Sequence, residues 1–194
     1  LATTLGVFAG PAQARATSGP AAKVSRANVK VIALAKPRLC AGSNLVPTAT
    51  NGKAIATATL CLLNNLRAAF SLGPVRANSE LQSVAVTQVE DMVGWNYFAD
   101  DRPPAQTPAS LIASTRYTAR TANISTGQNI GWGTGPYATP AQMVAAWMAS
   151  PPHREIILIG EYTAAGVGVA PAVPSVLEQP LPGATYAVEF ASPN

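Results

Sequence analysis

The sequence predicts an α+β fold, and three observations carry that prediction. Apolar residues recur at helical spacing in several stretches that begin on capping residues and end on glycine or proline. Two runs with alternating or β-branched residues, 164–170 and 184–191, follow late in the chain and flank a proline-rich loop at 171–182, the arrangement of an antiparallel hairpin. Helices thus outnumber strands, which points to helices packed on a small sheet.

The elements follow in chain order. Residues 1–14, LATTLGVFAGPAQA, are small and apolar and end in Ala12-Gln13-Ala14, the pattern of a signal-peptide remnant with its cleavage site. Residues 15–39 form a basic arm rich in Ala, Ser, Pro and Lys/Arg, with a short extended piece expected at Val29 to Leu34. A single domain is expected over 40–194. Its first helix starts near Ile55, presents Leu62, Leu63, Leu66, Ala69 and Phe70 on one face, and stops at Gly73-Pro74. Asn78 caps a second helix lined by Leu81, Val84, Ala85, Met92 and Val93 and closed by Gly94. The aromatic residues of Trp95 to Asp100 then read first as core packing. Thr107-Pro108 opens a short helix through Leu111 and Ile112, and residues 118–126 read as polar loop. Thr139-Pro140 is an N-cap followed by proline at the first helical position. Met143, Val144, Trp147 and Met148 continue that helix until Ser150-Pro151-Pro152 stops it, which delivers His153 just past its end.

Composition narrows the class. The chain has 194 residues, 48% of them apolar and 11% charged, which suits a globular protein with a sizeable core. Its net charge of +4 is unevenly divided: Arg15, Lys23, Arg26, Lys30, Lys36 and Arg38 precede Cys40, whereas the first acidic residue is Glu80. A cationic arm can hold an anionic envelope polymer or lipid surface, or serve as a solvated spacer. No aromatic residues interleave with that charge, so nothing supports nucleic-acid binding. No stretch is long and apolar enough to predict a transmembrane segment. Cys40 and Cys61 are the only cysteines; in an exported protein they favour a disulfide, which would contribute roughly 3 kcal/mol and pin the end of the arm to the first helix.

The segments Gly127-Gln128-Asn129-Ile130-Gly131-Trp132-Gly133, Ala146-Trp147-Met148-Ala149-Ser150-Pro151-Pro152-His153-Arg154-Glu155-Ile156-Ile157-Leu158 and Gly166-Val167-Gly168-Val169-Ala170 resemble, in that order, three motifs of the CAP superfamily. That superfamily comprises the cysteine-rich secretory proteins, antigen 5 and pathogenesis-related 1 proteins, and the resemblance is to its bacterial, SCP-like branch. It covers roughly residues 55 to 191. It implies a three-layer α-β-α sandwich with a small antiparallel sheet between helices, and a third strand near Asn129 to Gly133. It also implies a central cleft, which in the family commonly holds two histidines and one or two acidic residues able to bind a divalent metal. Here the cleft is degenerate. Asp100 stands where the first histidine would be, Gln128 at the glutamate of G-E-N-I, His153 at the second histidine and Ser150 near a further acidic position. Gln88 occupies a place where related domains often carry histidine.

Those replacements weaken a zinc site: Gln128 lacks a charge and Asp100 lacks a nitrogen ligand, leaving His153 and Asp100 as the only metal candidates and no cofactor expected. Asp100 can instead accept a hydrogen bond from His153 and raise its pKa. Ser150 with His153 and Asp100 has the residue types of a serine hydrolase, but there is no G-x-S-x-G elbow, and a helix-terminal serine is the simpler role. Trp132, Asn129 and Trp147 are candidate binding residues, with core packing the competing role. Three functions follow as expectations. The first is a secreted binding module for a lipid or cell-wall polymer at the cell surface or outside the cell. The second is an extracellular hydrolase or peptidase using His153 with Asp100 and Gln128, and the third a structural adhesion module tethered by the basic arm.

Overall fold

The computed structural model describes residues 38–118, 123–179 and 181–193; the expected signal remnant, nearly all of the basic arm and its extended piece lie outside them. Nine elements frame the site: α1 (Gly52–Ala69), β1 (Arg76–Ala77), α2 (Ser79–Gly94), α3 (Pro108–Ala113), β2 (Ile124–Thr134), α4 (Pro140–Ala149), α5 (Pro151–Ile157), β3 (Ala164–Ala170) and β4 (Gly183–Pro193). The strands form one sheet in the order β1-β3-β4-β2. β4 lies antiparallel to β3 and to β2 as the hairpin pattern requires, and the two-residue β1 adds a parallel edge that the sequence reading lacked.

Alternation along β4 sorts its side chains between two layers. Ala184, Tyr186, Val188 and Phe190 join Ile55, Leu63, Met143, Trp147 and Ile157 in the larger core, so α1, α4 and α5 cover that face. Ala187 and Ala191 face the other way, into two smaller clusters built on α2 and α3. Between these layers the sheet is buried on both sides, the α-β-α sandwich that the resemblance implied.

β3 brings α2 unusually close. A Cβ at Gly166 would collide with the backbone of Leu81 and Gln82, and one at Gly168 with the carbonyl of Ala85. The glycines of Gly166-Val167-Gly168 are therefore where helix backbone rests on strand backbone.

Several boundaries differ from the sequence reading. α1 ends at Ala69, before Gly73; Ser71 takes the left-handed conformation at φ 60°, with Leu72 N–H bonded to the Arg67 carbonyl and Ser71 N–H to that of Ala68. Phe70 accordingly leaves the core and is exposed, while Thr59 and Arg67 are buried in its place. α2 does run to Gly94, capped by the Asn78 side chain, but Asn96 makes the left-handed turn after it. Trp95 is 54% exposed, with the Arg102 guanidinium 4.7 Å from its ring, so it is a surface residue while Tyr97 and Phe98 pack inward. β2 begins at Ile124, inside the stretch read as polar loop, and pairs with β4 over its whole length. The proline pair 151–152 opens α5 as well as stopping α4, because proline suits a first helical turn.

Candidate functional site

β2 is an edge strand, and alternation sends its side chains to opposite layers. Gly127 and Gly131 face α4, α5 and the residues after them: a Cβ at Gly131 would lie 2.5 Å from Met143 Sδ and 2.9 Å from Trp147 Nε1. Asn129 has the same parity. Its Nδ2 donates to the His153 carbonyl at 3.0 Å, while Trp147 Nε1 donates to the Ile130 carbonyl at 2.9 Å, so two side-chain bonds tie the edge to the helices beside it. Gln128 and Ile130 point the other way, toward α2.

His153 is the third residue of α5 and only 1% exposed. Ser150 ends α4 and precedes α5 in extended backbone; its Oγ makes no cap bond to the helix backbone and meets His153 Nδ1 at 2.7 Å instead. Burial alone pushes the imidazole pKa below its usual value. That direction corrects the expectation of a pKa raised by Asp100: no carboxylate contributes to holding the charged imidazole, so the ring is neutral at neutral pH. Serine and histidine are brought together, although their three-residue spacing after a helix end does not by itself aim one at the other.

Gln128 belongs to a different group. Its register partner on β4 is Glu189, and its Nε2 donates to Glu189 Oε1 at 2.6 Å. Glu189 is completely buried. Its carboxyl is pushed up to about 8, by burial first and by the Asp100 charge second, against the opposing hydrogen bond from Gln128. Gln88, fully buried on α2, donates to the carbonyls of Ala99 at 3.0 Å and Asp100 at 3.2 Å and so fixes the turn that carries Asp100. Gln88, Gln128 and Glu189 are thus buried polar side chains on the α2 face, which otherwise holds two apolar clusters, one built on Ala85, Val89 and Ile130 and the other on Leu81, Val84 and Ala191. Glu189 was not singled out in the sequence. The signal was a lone charge in an otherwise apolar run, 184–191, whose strand has no solvent face.

The candidates thus divide into His153 with Ser150 and Asn129 on one side, and Asp100 with Gln88, Gln128 and Glu189 on the other. Among the described residues no three His, Cys, Asp or Glu side chains are grouped to hold a metal ion. A zinc ion does not fit this donor set: His153 is the one imidazole in the sequence, and Gln128 offers in place of a carboxylate a neutral amide that is itself bonded to Glu189. Trp132, Asn129 and Trp147 are all buried, and Trp147 is part of the main core, packed edge-on to Tyr186. A shallow open groove lies nearby on the outside of α4 and α5, lined by Met148, Ala149, Pro151, Arg154, Glu155 and Leu158. Cys40 and Cys61 are joined in a disulfide with their Cα atoms 5.6 Å apart.

Comparison with known proteins bears on the whole arrangement. The pattern of the CAP, cysteine-rich secretory protein family matches residues 60–173. The uncharacterized protein YkwD of Bacillus subtilis is 34% identical over 107 residues, which cover 55% of this chain and 39% of that protein, so the chain matches about two fifths of that relative's length. Among solved structures, an extracellular protein containing an SCP domain from Bacillus anthracis superposes with a TM-score of 0.56 at 21% identity, covering 74% of this chain and 44% of the other. An outer surface protein from Borrelia burgdorferi gives 0.55 at 15% identity, over 70% and 90% of the two chains. A cysteine-rich secretory protein from Staphylococcus aureus gives 0.51 at 19% identity, over 74% and 40%. These three likenesses concern the fold.

Proposed function

Because the chain belongs to the cysteine-rich secretory protein (CAP) family, we propose that it acts outside the cell or at its surface as a binding module for a lipid or cell-wall polymer, with an inherited cleft that has become structural. The observation that carries this reading is the inward turn of the cleft residues. His153 is spent on Ser150, and Gln128 on Glu189, with all but Ser150 buried, so the groups that would meet a substrate meet one another. Ligand contact then falls to the surface, where the groove along α4 and α5 offers apolar side chains beside Arg154. Export is supported by the disulfide, which persists in oxidising compartments, and by the extracellular and surface descriptions of proteins with this fold. No helix among the described residues is long and apolar enough to cross a membrane.

The test is co-sedimentation of the full chain with purified peptidoglycan and with vesicles of phosphatidylcholine and phosphatidylglycerol, beside peptidase assays. Binding to one of them without turnover, weakened by Arg154→Glu in the groove and kept by His153→Ala, is the expected result. Turnover abolished by His153→Ala would replace this reading with the hydrolase, which has one observation in its favour, the 2.7 Å contact between Ser150 Oγ and His153 Nδ1. Deleting residues 15–39 separates both from arm-borne adhesion, which requires surface retention to disappear with the arm.

A further inference from the structure

The polar layer under α2 has an imbalance that hydrogen-bond counting exposes. Gln88 commits its amide nitrogen to the carbonyls of Ala99 and Asp100, and Gln128 donates to Glu189. Among the described residues Gln88 Oε1, Gln128 Oε1 and Glu189 Oε2 have no partner, three oxygens on three side chains each more than nine-tenths buried. All three are acceptors when the carboxyl is ionised. A buried acceptor without a donor costs about 1–3 kcal/mol and a buried unpaired carboxylate more, so the ionised layer is short of donors and carries an uncompensated charge.

One change relieves both faults where Glu189 meets Gln128. A proton on Glu189 Oε2 removes the charge and converts an orphan acceptor into a single O–H donor, suited to the oxygen of the Gln128 amide whose nitrogen already donates to Glu189 Oε1. Among the described residues no cation offsets the charge, and the one other unpartnered buried hydroxyl on this face is that of Tyr97. β2 presents Gln128 at the paired position and β3 presents Gly166; α2 lays Leu81 and Gln82 against Gly166 and Ala85 against Gly168. The only described charged group acting on Glu189 is Asp100, which is of the same sign. Tyr97 and Tyr117, in the flanking clusters, have pKa values raised by burial and stay neutral, and Arg102 is paired with Asp91.

We propose that Glu189 is carried as the neutral carboxylic acid in the folded protein at neutral pH, and that its proton completes the buried pairing of Gln128 with Glu189 in the layer between α2 and the sheet. The site's acid has in effect crossed the β2–β4 ladder. The position that the resemblance assigns to a glutamate holds Gln128, and the carboxyl stands opposite it on the next strand. In its ionised form this layer would loosen α2 from the sheet, so alkaline pH opens a contact that neutral and acid pH seal. This holds whichever ligand the outer surface takes.

Infrared difference spectroscopy of the wild-type full chain tests this without any variant. The other carboxyls have no comparable burial, so a protonated carboxylic-acid band at pH 7 that fades as pH is raised past about 8 is expected for Glu189. Its absence at pH 7 overturns the proposal. Glu189→Gln should remove the band and flatten the decline of the melting temperature between pH 6.5 and 8. The exchange Gln128→Glu with Glu189→Gln should restore both by placing one acid on the other strand. A band that survives Glu189→Gln assigns the proton elsewhere and overturns the proposal, as does a melting temperature raised by Ca2+ or Zn2+ at pH 7 in wild type but not in Glu189→Gln, which would make the layer a cation site.

Discussion

A guanidinium buried without a carboxylate must be satisfied by carbonyls, and Arg67 uses it as a clamp. It donates to the carbonyls of Gly73, Ile157 and Ile159 at 2.8 Å each and of Tyr162 at 3.1 Å, joining the end of α1 to the chain that leads from α5 into β3. Arg67→Met should cost about 3 kcal/mol or more in urea unfolding, because several buried carbonyls lose their donor at once; Arg67→Lys should recover only part, lacking the planar fork. His153 and Glu189 give single-residue pH effects of opposite sign. The imidazole pKa is lowered in the fold, so its contribution is present above the unfolded value of 6.5 and is lost as pH falls through the folded one. The Glu189 carboxyl is raised, so its contribution is full below 4.5 and is lost as pH rises through about 8. Stability should therefore decline from pH 6.5 to 8 at up to about 1.4 kcal/mol per unit, and His153→Gln should spare the protein its own share of the acid-side loss while leaving that decline intact. Urea midpoints across pH 4 to 9 check both limbs. Motif spacing made His153 and Gln128 legible in the sequence. Glu189 was not, because its meaning comes from strand register, which places residues 128 and 189 side by side across 61 positions of chain.

Element boundaries were legible where a residue carries its own backbone preference. Asn78, Thr107 and Thr139 each cap the helix assigned to them, with the side-chain oxygen accepting a backbone N–H. They were illegible where context overrode preference. Ser71 takes a left-handed turn usually given to glycine, and Ser125 and Thr126 enter β2 because β4 is long enough to pair with them. In the sequence the glycines of β3 are part of a motif, and the structure gives them a steric reason that can be measured. Gly168→Ala would drive a methyl into the Ala85 carbonyl, and neither backbone can yield without separating α2 from β3. A loss of at least about 2 kcal/mol is expected, of the kind seen when tight packing is overfilled. Gly94 is the control. No atom lies within 4 Å of its added Cβ and its φ is not positive, so Gly94→Ala should be neutral or stabilise by up to about 1 kcal/mol. Thermal unfolding of the two variants side by side separates strand packing from a general intolerance of alanine.

At the scale of the whole molecule, the layer order was legible because three separated motifs each belong to a different part of the sandwich: β2, the α4–α5 corner and β3. What holds the start of the described chain to that sandwich was visible only as two cysteines. The disulfide links Cys40 to Cys61 in the middle of α1, and Asn65 one turn later brackets Arg38 by accepting from its N–H at 3.0 Å and donating to its carbonyl at 2.7 Å. From there the Ser43 carbonyl accepts the Ala141 N–H at 2.9 Å, so the segment bridges α1 to the first turn of α4. All of this lies on the α1 and α4 side of the sheet, away from the Gln128 and Glu189 layer. Replacing both cysteines by serine should therefore lower the unfolding free energy by about 3 kcal/mol, the chain-entropy value for a loop of 21 residues, while leaving the alkaline decline set by Glu189 unchanged. Urea titrations of wild type with and without reductant, beside the double variant, measure the first term, and repeating them at pH 6.5 and 8 measures the second. An unchanged midpoint on reduction would mean that the Asn65 bracket and the Ser43 bond hold the segment without the disulfide. A change in the pH dependence would mean that strain at α1 reaches through the sheet to α2.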